Sequence, residues 1–187
     1  RDEMAVITRN VIWNNEFLNT YTDKEKDILG KYSSSLFTLN TFYTANKTIV
    51  GRTIKKDTEK FLLDYWNNVV EYMVQWQELQ HREITKVDLR ESYIATQSIV
   101  IQALGRIGNY YISHQDEMKD GLLGLERINW SRSAKQWYMR AVGKNGRIIT
   151  SKKAALLISN VIKKELGIAL SAEEINAEEA LKKTIKD

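Results

Sequence analysis

The chain has 187 residues, of which 43% are hydrophobic and 28% are charged, and its formal net charge is +4. These values are typical of a soluble globular protein, and no run of roughly 18 apolar residues predicts a membrane span. The absence of cysteine excludes disulfides, thiolate metal sites and cysteine nucleophiles. The absence of proline and the low count of nine glycines predict long helices with short connections.

The N-terminal residues favour a cytoplasmic origin. Arg1, Asp2 and Glu3 are charged, the start of the chain lacks the apolar core of a signal peptide, and position 1 is not methionine. We therefore expect an excised part of a longer cytoplasmic protein, with part of the function in the missing part.

Apolar residues with helical spacing occupy the first half of the chain. They predict helices from about Glu3 to Thr20, from Leu36 to about Val50, and from Thr58 to about Gln80. The residues Thr22-Asp23-Lys24-Glu25 have the spacing of a capping box, which predicts a short helical turn.

The segment from Tyr93 to His114 is apolar around almost its whole circumference, which predicts a central helix packed by its neighbours. Gly105 and Gly108 each destabilise a helix interior by roughly 1 kcal/mol relative to alanine. We therefore predict that another helix approaches closely at these glycines. Gln102 and Arg106 lie on the same helix, and we expect them to tie neighbouring segments to it.

Turn and capping signals dominate the C-terminal part. Gly143 to Gly146 predict a turn, and Ile148-Ile149 a short strand after it. Ser151 is placed to cap a helix that ends at Gly167. A second capping box at Ser171 to Glu174 opens a charged tail helix.

Together these patterns predict an all-α fold, an irregular multi-helix domain around the central apolar helix. At most one short β-hairpin or strand is expected near residues 140–150. The predicted organisation is one helical domain over residues 1–170, followed by a charged tail helix over 171–187 that can fray.

Positive charge is concentrated between Arg127 and Lys153. This segment has eight cations and no acidic residue, so it carries +8 whereas the rest of the chain sums to −4. Localised positive charge favours phosphate binding. Trp130 and Trp137 lie between the cations, where aromatic faces could stack on bases, but we interpret them mainly as anchors to the helices. The candidate DNA contacts, mainly to phosphates, are Arg132, Lys135, Arg140, Lys144, Arg147, Lys152 and Lys153.

Two alternatives for this segment remain open from the residues alone. The cations could form a solvated face, or the chain could be a protein-interaction or oligomerisation module without direct DNA contact. An enzyme domain is expected only if the missing part supplies the catalytic residues.

Catalytic motifs are lacking in the sequence. The two histidines are His81 and His114, and the Glu-x-x-His spacing that ends at His81 lacks the second copy that a di-iron bundle needs. No phosphate-binding loop, nucleophile elbow or zincin motif is present. We expect no enzyme activity, no cofactor and no metal site.

Several short motifs recur in order along the chain. The most distinctive is Ile128-Asn129-Trp130-Ser131-Arg132-Ser133, with Trp137 and Arg140 after it. The others are Arg1 to Arg9, Leu36 to Leu39 followed by Tyr43, Ala45 and Lys47, Gln102 to Gly108, Gly146 to Ile148, and Ile162 to Gly167. Together they resemble the C-terminal half of the DndB family of DNA sulfur modification proteins. The sequence departs from the family pattern at Ala134-Lys135-Gln136 and at Ala169, where prolines are common.

The resemblance implies an accessory or regulatory role in bacterial DNA phosphorothioation, in which sulfur replaces a non-bridging phosphate oxygen. It implies DNA binding, control of modification gene expression, and other DNA-modification proteins as partners. The Asp-Gly-Gln-His-Arg motif that often marks the N-terminal half of the family is absent from these 187 residues.

Overall fold

Helices dominate the structure, a computed structural model that describes residues 2–30 and 33–186. Arg1 of the first family motif and Asp187 of the tail lie outside the described residues. The α-helices in this part of the chain are α1 (Glu3–Trp13), α2 (Glu16–Tyr21), α3 (Leu39–Val50), α4 (Thr58–Tyr72), α5 (Val74–Gln80), α6 (Lys86–Ser92), α7 (Ser98–Tyr111), α8 (Met118–Leu122), α9 (Lys152–Leu166) and α10 (Ala172–Lys186). Short 3₁₀ helices at Gln115–Glu117, Leu123–Arg127 and Lys135–Trp137 complete the connections. The predicted all-α fold is confirmed.

Helix α7 is the centre of the core, and α3 and α9 pack against it. A Cβ at Gly105 would lie 3.1 Å from the carbonyl oxygen of Ala45, and one at Gly108 would lie 2.7 Å from Cγ1 of Ile49. The contact at Gly108 is closer than real Cβ atoms show, and the one at Gly105 would require the backbone of Ala45 to move by a few tenths of an ångström. The two glycines therefore permit the close approach of α3. The predicted close contact is confirmed.

Two of the predicted long helices are interrupted. The first breaks at Asn14 and Asn15, where the Asn15 side chain accepts a hydrogen bond from the Leu18 N–H at 2.9 Å and caps α2. The third breaks at Met73, which is buried with an extended backbone (φ −83°, ψ 102°) between α4 and α5. The side-chain amide of Gln77 donates a hydrogen bond to the Val70 carbonyl at 2.8 Å. This bond satisfies a backbone acceptor that is left free at the end of α4.

A small parallel sheet joins distant parts of the N-terminal half. Strand β1 (Thr22–Asp23) pairs with β2 (Phe37–Thr38). The predicted helical turn at Thr22 is therefore wrong: the Asp23 carboxylate instead accepts hydrogen bonds from the Glu25 and Lys26 N–H groups. Near residues 140–150 the chain forms an isolated β-bridge between Val142 and Ile148.

The C-terminal helices begin and end where the sequence predicts. The Ser151 hydroxyl accepts from the Ala154 N–H at 3.2 Å, and α9 ends at Gly167 in the left-handed conformation (φ 76°). Both hydrogen bonds of the second capping box form between Ser171 and Glu174. Helix α10 packs along α9, and the division of the chain at residue 170 remains a prediction.

Candidate nucleic-acid interface

Two stacked tryptophans fasten the basic segment, residues Arg127 to Lys153, to the helical core. The rings of Trp130 and Trp137 lie 5.3 Å apart at 7° to each other, and both side chains are buried. The indole N–H of Trp137 donates to the Asn129 carbonyl at 2.7 Å. The interpretation of both tryptophans as anchors is confirmed, since neither exposes a face on which a base could stack.

Backbone hydrogen bonds join the start of the segment to the residues that precede α7. The Ile94 N–H donates to the Trp130 carbonyl at 2.9 Å, and the Arg132 N–H donates to the Ser92 carbonyl at 2.8 Å. This short pairing continues in the bridge between Tyr93 and Ser131. The segment is therefore attached to the core at a fixed register.

The predicted turn projects from the segment. The Gly146 N–H donates to the Gly143 carbonyl at 2.9 Å, and the Asn145 side chain accepts from the Arg147 N–H at 3.0 Å. Gly146 has a φ of 78°, a conformation that glycine adopts without strain. Lys144 and Arg147 are consequently exposed at a well-defined tip.

Arg140 is already paired within the protein. Its guanidinium forms two hydrogen bonds to the carboxylate of Glu178, at 2.6 and 2.8 Å, and donates to the Leu157 and Gln136 carbonyls. Its side chain is 12% exposed. A guanidinium engaged in this way cannot present the same fork to a phosphate, so its role in this arrangement is to bind α10.

Arg127 and Arg132 are also engaged with other parts of the chain. Arg127 pairs with Glu165 of α9 at 2.7 Å. Arg132 is partly buried and donates to the Arg90 carbonyl at 3.2 Å. Neither is as freely available to a ligand as the remaining cations of the segment.

Five of the predicted contact residues form an unpaired set, which we call the exposed cations. Their side chains are exposed and make no hydrogen bond or ion pair with any residue in the ranges 2–30 and 33–186. Two occupy the turn, two lie in the first turn of α9, and one lies in the 3₁₀ helix of the segment. The exposed cations are Lys135, Lys144, Arg147, Lys152 and Lys153.

Two carboxylates of α10 pair with cations elsewhere in the chain, and sequence reasoning did not identify them. Glu174 is 1% exposed and accepts from Lys163 at 2.9 Å, from Arg106 at 3.1 Å, and from the Ser171 N–H at 2.8 Å. Burial alone would raise the pKa of Glu174, but these three donors lower it to about 2. The capping box was the one sequence signal at Glu174, and it predicted the hydrogen bond to Ser171 but not the two cations.

The second carboxylate, Glu178, follows one helical turn later. Burial opposes its ionisation, but the hydrogen bonds from Arg140 and from the Asn160 amide lower its pKa. Its partner Arg140 lies 38 residues away in the sequence. No local pattern could have predicted that pair.

The histidines do not form a site in this structure. Nδ1 of His114 lies 2.8 Å from the Tyr110 carbonyl, and its ring stacks on that of Tyr110. Within the described residues, no three His, Cys, Asp or Glu side chains are grouped to hold a metal ion. None of the helices in that part of the chain is long and apolar enough to cross a membrane.

Comparison with known proteins identifies a family. Searches of curated proteins and of solved structures gave no match. The model of one family, described as DndB, DNA-sulfur modification-associated, matches residues 1–169 and thus most of the chain, including the whole basic segment. The chain therefore belongs to the DndB family of DNA-sulfur modification-associated proteins.

Proposed function

We propose that this chain binds DNA through the exposed cations and acts as an accessory, regulatory component of DNA sulfur modification in the bacterial cytoplasm. Membership of the family implies involvement in that system. Control of modification gene expression would follow from DNA binding, because an accessory protein on the DNA can exclude or recruit other proteins. No catalytic role is assigned to the chain.

The observation that carries the proposal is the availability of the exposed cations. They belong to a segment without any acidic residue, and their ammonium and guanidinium groups have no partner in the described part of the chain. Exposed lysine and arginine side chains bind phosphates without reading the bases. We therefore expect binding that is strongly salt-dependent and weakly sequence-selective.

The test compares two double variants in titrations of labelled duplex DNA at several salt concentrations. Lys144→Ala/Arg147→Ala removes two exposed cations from the turn, and Lys55→Ala/Lys56→Ala removes the same charge from an exposed loop outside the segment. The salt slope is the slope of the logarithm of the binding constant against the logarithm of the salt concentration. Each lost phosphate contact reduces its magnitude by about 0.9, so the magnitude for the turn variant should be lower than that of wild type by about 1.8. The control should retain the wild-type slope.

Equal binding by wild type and the turn variant would refute a DNA contact at the turn. If wild type itself does not bind DNA, sedimentation would then test the alternative, an oligomerisation or protein-interaction module. Arg140→Ala is unsuitable for this experiment because it also breaks the pair with Glu178.

A further inference from the structure

A groove with a largely apolar surface and several polar side chains lies between α3, α7 and the start of α9, and no role has been assigned to it so far. Its volume is about 310 Å³, which is at the lower limit of small-ligand sites, roughly 300 Å³. Ile99 and Ala155 are its buried apolar residues. The polar residues that line it are Thr44, Thr48, Gln102, Arg106, Thr150 and Lys152.

Hydrogen-bond donors in the groove are unused. The hydroxyls of Thr44 and Thr150 and the ammonium of Lys152 have no hydrogen-bond partner within residues 2–30 and 33–186. Arg106 directs Nε to Ser159 and Nη2 to Glu174, which leaves Nη1 free. Its side chain is 34% exposed, so this nitrogen can reach a ligand.

The charge of the groove is positive. None of its lining residues is acidic. The nearby carboxylate of Glu174 is shared by Arg106 and Lys163, so these three groups together retain one positive charge. Lys152, which also lines the groove, adds a second positive charge.

We propose that this groove binds a phosphate group. Two cations, two free hydroxyls and the absence of a carboxylate in the lining suit the oxygens of a phosphate, which accept hydrogen bonds and carry negative charge. The volume accommodates the phosphate with part of an attached sugar. The phosphate can belong to the DNA backbone or to a free phosphate or nucleotide, and its binding here does not require the turn at Lys144 to bind DNA.

Titration of the ¹⁵N-labelled chain, followed by amide chemical shifts, tests the site. One arm uses inorganic phosphate with ionic strength held constant by sodium chloride, and the other uses a short duplex DNA. We expect saturable shifts at the amides of Thr44, Thr48 and Gln102, which line the groove. Lys152 is not used as a readout, because its amide would also respond to a DNA contact of the exposed cations. Shifts with both probes identify a backbone phosphate as ligand, whereas shifts with phosphate alone identify a free phosphate-bearing ligand.

A double variant removes the two free hydroxyls without changing charge. Thr44→Val/Thr150→Val should weaken phosphate binding on the order of tenfold, as expected for the loss of hydrogen bonds to a charged acceptor. The matched control, Thr20→Val/Thr53→Val, alters one exposed helical and one exposed loop threonine outside the groove. It should bind phosphate as wild type does.

The groove proposal is overturned if neither probe shifts these amides, or if the two double variants bind phosphate equally. Its failure differs from failure of the DNA proposal. If the chain binds DNA through Lys144 and Arg147 while the groove amides remain unchanged, the groove is wrong and the DNA contact is right. If phosphate binds in the groove but the chain does not bind DNA, the groove proposal is right and the DNA contact is wrong.

Discussion

Glu174→Gln should destabilise the protein strongly, although it replaces one residue of a charged tail helix. The substitution keeps the size of the side chain but removes the charge that Lys163 and Arg106 share. Lys163 is 14% exposed, so its ammonium would lose its anion in a place that water scarcely reaches. Breaking a buried pair in this way costs about 3–5 kcal/mol.

The lowered pKa of Glu174 gives a second magnitude for the same contacts. In the folded protein it is about 2, against an ordinary value of 4.5. A tenfold change in an acid dissociation constant corresponds to about 1.4 kcal/mol, so ionisation of Glu174 stabilises the fold by roughly 3 kcal/mol.

The sign of the pH dependence follows from the lowered pKa. Since the unfolded chain takes up the proton first, the contribution of Glu174 is fully present above pH 4.5 and is lost as the pH falls toward about 2. The difference in stability between wild type and Glu174→Gln should therefore be constant near neutral pH and should shrink below pH 4.5.

Urea unfolding followed by circular dichroism measures the effect, and amide hydrogen exchange shows whether α10 alone detaches. The control is Glu173→Gln, which alters the neighbouring exposed carboxylate and should change stability by less than about 0.5 kcal/mol. If the two variants have equal stability and equal exchange in α10 at pH 7, the assigned role of Glu174 is wrong.

Two further predictions concern the core and the anchor. Gly105→Ala should destabilise the protein by up to about 2 kcal/mol in urea unfolding. The strain of a Cβ against backbone atoms of Ala45, about 1–3 kcal/mol, is offset by roughly 1 kcal/mol of helix propensity. Gly30→Ala, which has open space around it, should be close to neutral. Trp137→Phe removes one of the two donors to the Asn129 carbonyl, the other being the side-chain amide of Gln136, and should cost about 1 kcal/mol in the same assay. A result equal to that of exposed Trp13→Phe would contradict the anchor.

Features that depend on local chemistry were predictable from the sequence. Ser151 and Gly167 mark the two ends of α9, because a hydroxyl cap and a left-handed glycine act within one turn of the chain. Gly105 and Gly108 predicted the close helix contact because glycine in an apolar helix needs a steric reason. The tryptophans at 130 and 137 were predicted as anchors since large aromatic side chains favour burial.

Features that depend on distant partners were not predictable. Met73 interrupts a helix inside a continuous apolar pattern. A buried methionine fits that pattern equally well at a helix break and within a helix, so the sequence does not reveal the break. Strands β1 and β2 are too short to show the alternation of apolar and polar residues that predicts a strand. The pairing of Arg140 with Glu178 joins residues that no motif connects, so the charge map alone counted Arg140 as free.

This pairing changes the number of phosphate contacts that the basic segment can make. The seven cations selected from the sequence would give a salt slope of about −6, whereas the five exposed cations give about −4.5 at most. The carboxylate of Glu178 causes the difference in part, because it pairs with Arg140, and it lies beyond residue 169, where the family match ends. The substitution Glu178→Gln removes the charge of the carboxylate that pairs with Arg140. If the salt dependence of DNA binding then becomes steeper than that of wild type by about 0.9, α10 withholds the Arg140 guanidinium from DNA in the wild-type protein. An unchanged slope would mean that Arg140 serves the fold alone.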